Sequence, residues 1–364
     1  MKSIKLICLM LAAILLLLPL MSCNEDEPAD TGTAPSTTEA PNTTKAPDVP
    51  DTLEIPDTTE PDVTSEPETT EPETTEEPKP DLKPADDINE MFIKNHVALP
   101  LWPETNTPYD IKGASVRATI APYIVEGSKS AVIIFPGGGY FQLSVANEGT
   151  KIAQEYNKAG ISAFVVTYRY KSKTDAVSAY DGRATLADGQ RAVQYVRYYA
   201  ETFGVDKDKI AVCGFSAGGH LAMLTCQHTP EENLVNDVIG AELSTPNACI
   251  LGYAVTTLGD GSYHTMPPNF LGSNATNQSE IAKYSYGHNI AAMPDTFVFY
   301  SKKDTLVDFK KNSDAIVAAM QAAGKNVTLK AYNDGSHGIG LGTQYAEFSK
   351  WHSDSVSFLK NIGF

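Results

Sequence analysis

Nowhere do the 364 residues hold an apolar run long enough to cross a bilayer as a helix. The longest, Leu6 to Leu18, has 13 residues against the roughly 20 a spanning helix needs. A basic excess is missing too: the net charge is −17, so nothing offers phosphates the cationic surface that nucleic-acid binding demands, and no nucleic-acid partner is expected. Metal-ligand spacing is likewise absent, with no Cys-x-x-Cys or His-x-x-His anywhere, and no metal or organic cofactor is implied. Cysteine is scarce, at five residues. Cys8 falls in the leading apolar run, and Cys213, Cys226 and Cys249 each stand in an apolar setting. Three is an odd number for pairing, so buried free thiols are expected rather than a disulfide framework.

What is present begins at the amino terminus. Lys2 and Lys5, the apolar run, and then Leu20-Met21-Ser22-Cys23 have the layout of a secretory signal over residues 1–22. A Cys directly after Leu-x-Ser resembles a bacterial lipobox, which implies that Cys23 becomes a lipid-bearing first residue and that the chain is anchored to an extracytoplasmic membrane surface. Residues 23–90 follow as a Thr/Pro/Glu-rich linker with repeated Thr-Thr-Glu-Pro units. Residues 24–90 hold 21 acids against 3 bases, whereas residues 91–364 hold 24 against 23. The acidity is therefore a property of the linker. With almost no large apolar side chains, such a segment cannot offset its ordering entropy, and it is expected to be a solvated, extended spacer.

Residues 91–364 are expected to form one α/β domain. Short β-branched runs at 131–135, 162–167, 210–213, 248–251, 296–300 and 327–332 read as strands. Between them lie helical periods: one capped by Asn147 and ending at Gly160, then 184–203, 217–227, 308–323 and 343–359. Alternation of this kind predicts a mainly parallel sheet covered by helices on both faces. Residues 115–125 are expected to add an antiparallel edge hairpin with what precedes them. Residues 253–295 break the rhythm and are expected to form a small lid or a wall of a cleft.

Chemistry concentrates at the strand ends. Gly214-Phe215-Ser216-Ala217-Gly218 follows a strand and opens a helix, the setting in which a serine hydroxyl is held exposed on a tight bend for nucleophilic attack. Pro136-Gly137-Gly138-Gly139-Tyr140 follows another strand. Its glycines let backbone N–H groups turn inward, so Gly138, Gly139 and the N–H of Ala217 are candidate donors to an oxyanion. Of seven histidines, His337 lies in the loop after the last strand, where a base returns to the nucleophile. Asp304 is the first carboxylate past the strand 296–300 and is the candidate that orients His337; Asp308 is better placed to cap the next helix. Tyr140, Glu148 and His264 are weaker candidates for substrate contacts.

These residues give the folded part a resemblance to bacterial acetyl esterases of the acetylxylan esterase and feruloyl-esterase-like group, within the α/β-hydrolases. The resemblance covers nearly all of residues 95–364 through the Gly-Gly-Gly-Tyr loop, Tyr168-Arg169, Gly-Phe-Ser-Ala-Gly-Gly-His, Asp304 with Val307, and His337-Gly338. It implies an α/β-hydrolase fold and a serine esterase that removes short acyl groups from a carbohydrate ester substrate such as acetylated xylan. Pro136 departs from the His that many relatives carry there, which leaves the oxyanion donors intact. Two rival readings remain. One is peptidase, amidase or general lipase chemistry on the same three residues; the other is a surface binding protein on an inactive scaffold.

Overall fold

A strand that is apolar at every position has no face left for solvent, and it must be covered on both sides. The computed structural model describes residues 94–104, 106–110, 115–172, 182–231, 234 and 237–364. The expected signal, Cys23 and the linker lie outside the described residues. Among those described, one sheet of eight strands has the order β1-β2-β4-β3-β5-β6-β7-β8. The strands are β1 (Leu99–Pro100), β2 (Thr119–Tyr123), β3 (Ala131–Phe135), β4 (Ser162–Thr167), β5 (Ile210–Phe215), β6 (Ala248–Gly252), β7 (Asp295–Ser301) and β8 (Val327–Tyr332). From β4 to β8 every pairing is parallel. The edge is antiparallel, as β2 pairs with β1 on one side and β4 on the other.

The helices are α1 (Lys151–Lys158), α2 (Arg183–Tyr198), α3 (Ala200–Phe203), α4 (Ala217–Gln227), α5 (Met266–Leu271), α6 (Gln278–Lys283), α7 (Ala315–Ala322) and α8 (Trp351–Asn361). Successive strand residues point to opposite faces, and the core divides accordingly. Ile133, Phe164, Val212 and Val298 pack with α2, α4 and α7, while Val132, Ile134, Ala211 and Phe297 pack with α1 and α8. Trp351 of α8 stacks on Phe299 at 4.4 Å between ring centroids. The fully apolar reading of the strands thus has its cause in two helix layers. Cys213, Cys226 and Cys249 are free and buried within these layers.

Differences from expectation fall at element ends. Asn147 does not cap a helix; it lies inside a π-helical turn, Val145–Thr150, that runs into α1. The last helix begins at Trp351 rather than Thr343. Asp334 accepts the N–H groups of Glu347 (2.9 Å) and Phe348 (2.7 Å), which holds the preceding residues in turns. Residues 253–295 contain α5 and α6 joined by turns, helices too short to announce themselves by period.

Candidate active site

In a parallel sheet all strands end on one rim, and the loops leaving that rim meet. Register carries this through the molecule: Phe135 pairs with Gly214, Phe215 with Gly252, Gly252 with Phe299, and Ser301 with Tyr332. The loop 136–144 after β3, Ser216 after β5, Tyr253 after β6, Asp304 after β7 and His337 after β8 therefore converge.

Ser216 occupies φ 52°, ψ −116°, a region L-residues rarely adopt. Its N–H donates to Gly252 O (3.0 Å), and its carbonyl accepts from His220 (3.1 Å) and Val255 (3.2 Å). The bend closes only because two neighbours lack side chains. A Cβ on Gly214 would meet Gly218 O at 2.1 Å, and one on Gly218 would meet Phe135 O at 2.0 Å. His337 Nε2 lies 2.8 Å from Ser216 Oγ, and His337 Nδ1 lies 2.7 Å from Asp304 Oδ2. The Asp304 side chain is 2% exposed and that of His337 11%. The other carboxylate oxygen of Asp304 accepts the N–H groups of Leu306 (2.9 Å) and Val307 (3.0 Å), so its plane is fixed before His337 arrives. Ser216, Asp304 and His337 are thus brought together as one hydrogen-bonded line. Asp308 instead receives the N–H groups of Lys310 and Lys311 and caps the turn before α7.

The glycine loop is held by its carbonyls. Pro136 O accepts from Tyr168 Oη (2.6 Å), Gly137 O from Ser144 (2.9 Å), Gly138 O from Phe141 and Gln142 (3.2 and 3.3 Å), and Gly139 O from Asn269 Nδ2 (2.7 Å). Since a trans peptide sets N–H opposite C=O, tying these carbonyls into the loop sends the N–H groups of Gly138 and Gly139 the other way. Gly138 at φ 139° and Gly139 at φ 62° supply the turn. Ala217, buried, opens α4 beside them.

Two of the weaker candidates need correction. Tyr140 is wholly buried, with its hydroxyl 2.8 Å from His220 Nδ1, so it faces the core and not a substrate. His220 Nε2 in turn reaches Tyr284 O at 2.7 Å, and burial lowers this histidine to about 4, holding it neutral. Glu148 is 2% exposed, inside the π-helical turn. It accepts Gly137 N–H at 2.9 Å and Tyr253 Oη–H at 2.6 Å. Burial raises its carboxyl above the usual range, while Tyr253, Gly137 and His337 oppose that rise. His264 is exposed, against the ring of Tyr263. Sequence reasoning missed Tyr253 and Asn269, and Tyr168 entered it only within the family resemblance, without a role. Tyr253 stands directly after a parallel strand, a signal that marks rim residues. Asn269 bears no signal, because its partner lies 130 residues away.

Comparison with known proteins accords with this geometry. The BD-FAE family matches residues 120–320. The acetylxylan esterase of Xylanibacter ruminicola is 29% identical over 239 residues, 65% of this chain and 46% of that protein. Endo-1,4-β-xylanase B of Butyrivibrio fibrisolvens is 26% identical over 231 residues, 63% of this chain and 35% of that protein. The chain thus spans less than half the length of these curated relatives. Among solved structures, the acetyl ester-xyloside bifunctional hydrolase of Caldicellulosiruptor lactoaceticus superposes with a TM-score of 0.67 at 29% identity, covering 74% of this chain and 97% of that one. The propionate-bound esterase Est2 of Thermogutta terrifontis gives 0.56 at 26% identity, covering 72% and 97%. The sheet, its helical layers and these likenesses define an α/β-hydrolase fold, and the chain belongs to the BD-FAE family.

Proposed function

We propose that this protein is a serine carboxylic ester hydrolase that removes short acyl groups, chiefly acetyl, from plant polysaccharides or oligosaccharides such as acetylated xylan. The observation that carries the reading is the line Ser216 Oγ, His337 Nε2, His337 Nδ1, Asp304 Oδ2, with both gaps under 3 Å. An ionised Asp304 is an acceptor only, so it selects the His337 tautomer with the proton on Nδ1. Nε2 is then free to take the Ser216 proton as Oγ attacks the ester carbonyl. The N–H groups of Gly138, Gly139 and Ala217 receive the oxyanion. His337 returns the proton to the departing sugar hydroxyl, leaving Ser216 acylated; water, deprotonated by the same imidazole, releases the carboxylic acid.

The sugar-ester preference is supported by relatives that bear the names acetylxylan esterase and acetyl ester-xyloside hydrolase. The modest size of the 253–295 insertion points the same way, since long acyl chains call for a deeper cover. Release of acetate from acetylated xylan tests the reading, with Ser216→Ala as control. Hydrolysis that survives the substitution removes Ser216 as nucleophile, and faster turnover of nitrophenyl octanoate than of the acetate removes the short-acyl preference. The same reading has the enzyme outside the cytoplasm, tethered through Cys23. Wild type should fractionate with membranes and Cys23→Ala should not.

A further inference from the structure

Glu148 is a buried carboxylate beside the reacting serine that the chemistry above leaves unused. Its surroundings are specific. Oε2 accepts the Gly137 N–H, and Oε1 accepts the Tyr253 hydroxyl. The Tyr253 oxygen accepts in turn from Gly340 N–H at 3.1 Å, three residues beyond His337. Gly340 O is bonded by Trp351 Nε1 at 3.0 Å, and the Tyr253 ring lies edge-on to the His337 ring at 5.0 Å. One carboxylate thus joins the loop that carries the candidate oxyanion donors to the loop that carries the base. The join is tight: a Cβ on Gly137 would fall 2.7 Å from Glu148 Oε2 and 3.1 Å from Ser216 Cβ.

We propose that Glu148, acting through Tyr253, is a positioning residue that sets the distance between the glycine loop and His337. The inference rests on the serine-esterase reading. Both partners of Glu148 are donors, so a carboxylate can accept from both at once through its two oxygens, which an amide with a single oxygen cannot do in the same geometry. Glutamine offers one oxygen and one NH2. It keeps one bond and sets its NH2 group against the other donor, or forces the Tyr253 hydroxyl to turn. Tyr253→Phe leaves the Gly137 arm intact and cuts only the His337 arm. Each change loosens the spacing of groups that must meet around one tetrahedral carbon, and neither alters Ser216, His337, Asp304 or the glycine loop itself. The expected signature is therefore a fall in kcat with KM preserved.

The experiment uses the full chain as wild type, Glu148→Gln and Tyr253→Phe. It measures kcat and KM on nitrophenyl acetate, the rate of Ser216 labelling by a fluorophosphonate, and the melting temperature. In both variants kcat and labelling rate are expected to fall together by about tenfold to a hundredfold, with KM within about threefold of wild type. Glu148→Asp shortens the arm without removing the double acceptor and should recover part of the loss. Variants that melt earlier but keep wild-type kcat and labelling would overturn the proposal, leaving Glu148 a packing residue. A wild type that labels at Ser216 yet cleaves no ester defeats the esterase reading alone, because labelling rates still test the strut. If wild type neither labels nor turns over, both fall.

Discussion

Two of the buried ion-pair clusters, Arg169–Asp188 and Asp304–His337, differ in one respect. Arg169 and Asp188 form an ion pair at 2.7 Å, with side chains 5% and 0% exposed. Asp188 also accepts from Trp102 Nε1 (2.6 Å) and from the Arg169 backbone N–H (2.8 Å). Arg169 further donates to Pro108 O and Ala184 O. Among the described residues these bonds turn inward, tying the segment after β1, the end of β4 and the start of α2. The Asp304–His337 pair is comparably buried, but its line ends on Ser216, which is partly open to solvent. A closed cluster can only hold elements together. A cluster with an accessible end can pass a proton to a visitor.

Substitutions should separate the two kinds of cluster, the largest effects coming at the open one. Ser216→Ala is expected to lower kcat on nitrophenyl acetate by about 10⁶-fold with the melting temperature nearly unchanged. Asp304→Asn loses the acceptor that selects the His337 tautomer, and stopped assays should show a fall of about 10⁴-fold. At the closed cluster, Asp188→Ala strands the Arg169 charge and should cost about 3 to 5 kcal/mol in urea unfolding, with kcat of the folded fraction retained. A mutant at either cluster with the other's phenotype would break the distinction.

Acid provides a gentler probe. Burial lowers His220, His228 and His352 to about 4 in the folded chain, against 6.5 for a free histidine. The unfolded chain therefore binds protons first as pH falls. Stability is fully present above pH 6.5 and declines from there towards 4, by roughly 3 kcal/mol for the fully buried His220 alone. Melting curves between pH 7 and 4.5 should show this slope, and His220→Gln should flatten it. Smallest of all, Asp308→Ala should cost about 1 kcal/mol as a lost cap and leave kcat within about twofold. A large kcat loss there would blur the contrast between Asp304 and its neighbour.

The central strands were legible because burial on both faces writes itself as apolar, β-branched sequence: β3 and β4 begin and end where the apolar runs do, whereas β8, at the half-exposed edge of the sheet, kept its expected bounds without that cause. The bend at Ser216 was legible because a strand, two required glycines and a helix are all local. His337 and Asp304 followed from loop order along a parallel sheet. Tyr140 and Glu148 misled because closeness to the glycine loop in sequence says nothing about direction. Glu148 turns under the loop to meet Tyr253, 105 residues later. Asn269 was illegible for a related reason, since an Asn between short helices looks the same whether or not a carbonyl waits for it.

The three thiols carry a practical corollary. Cys213, Cys226 and Cys249 are sealed in apolar layers, and burial pushes the Cys213 and Cys249 thiols far above their usual range, so neither forms thiolate at neutral pH. The described domain holds no disulfide among these thiols, so it should form in a reducing bacterial cytosol without oxidase or isomerase, and alkylating reagents should leave the buried thiols of the folded domain unmodified.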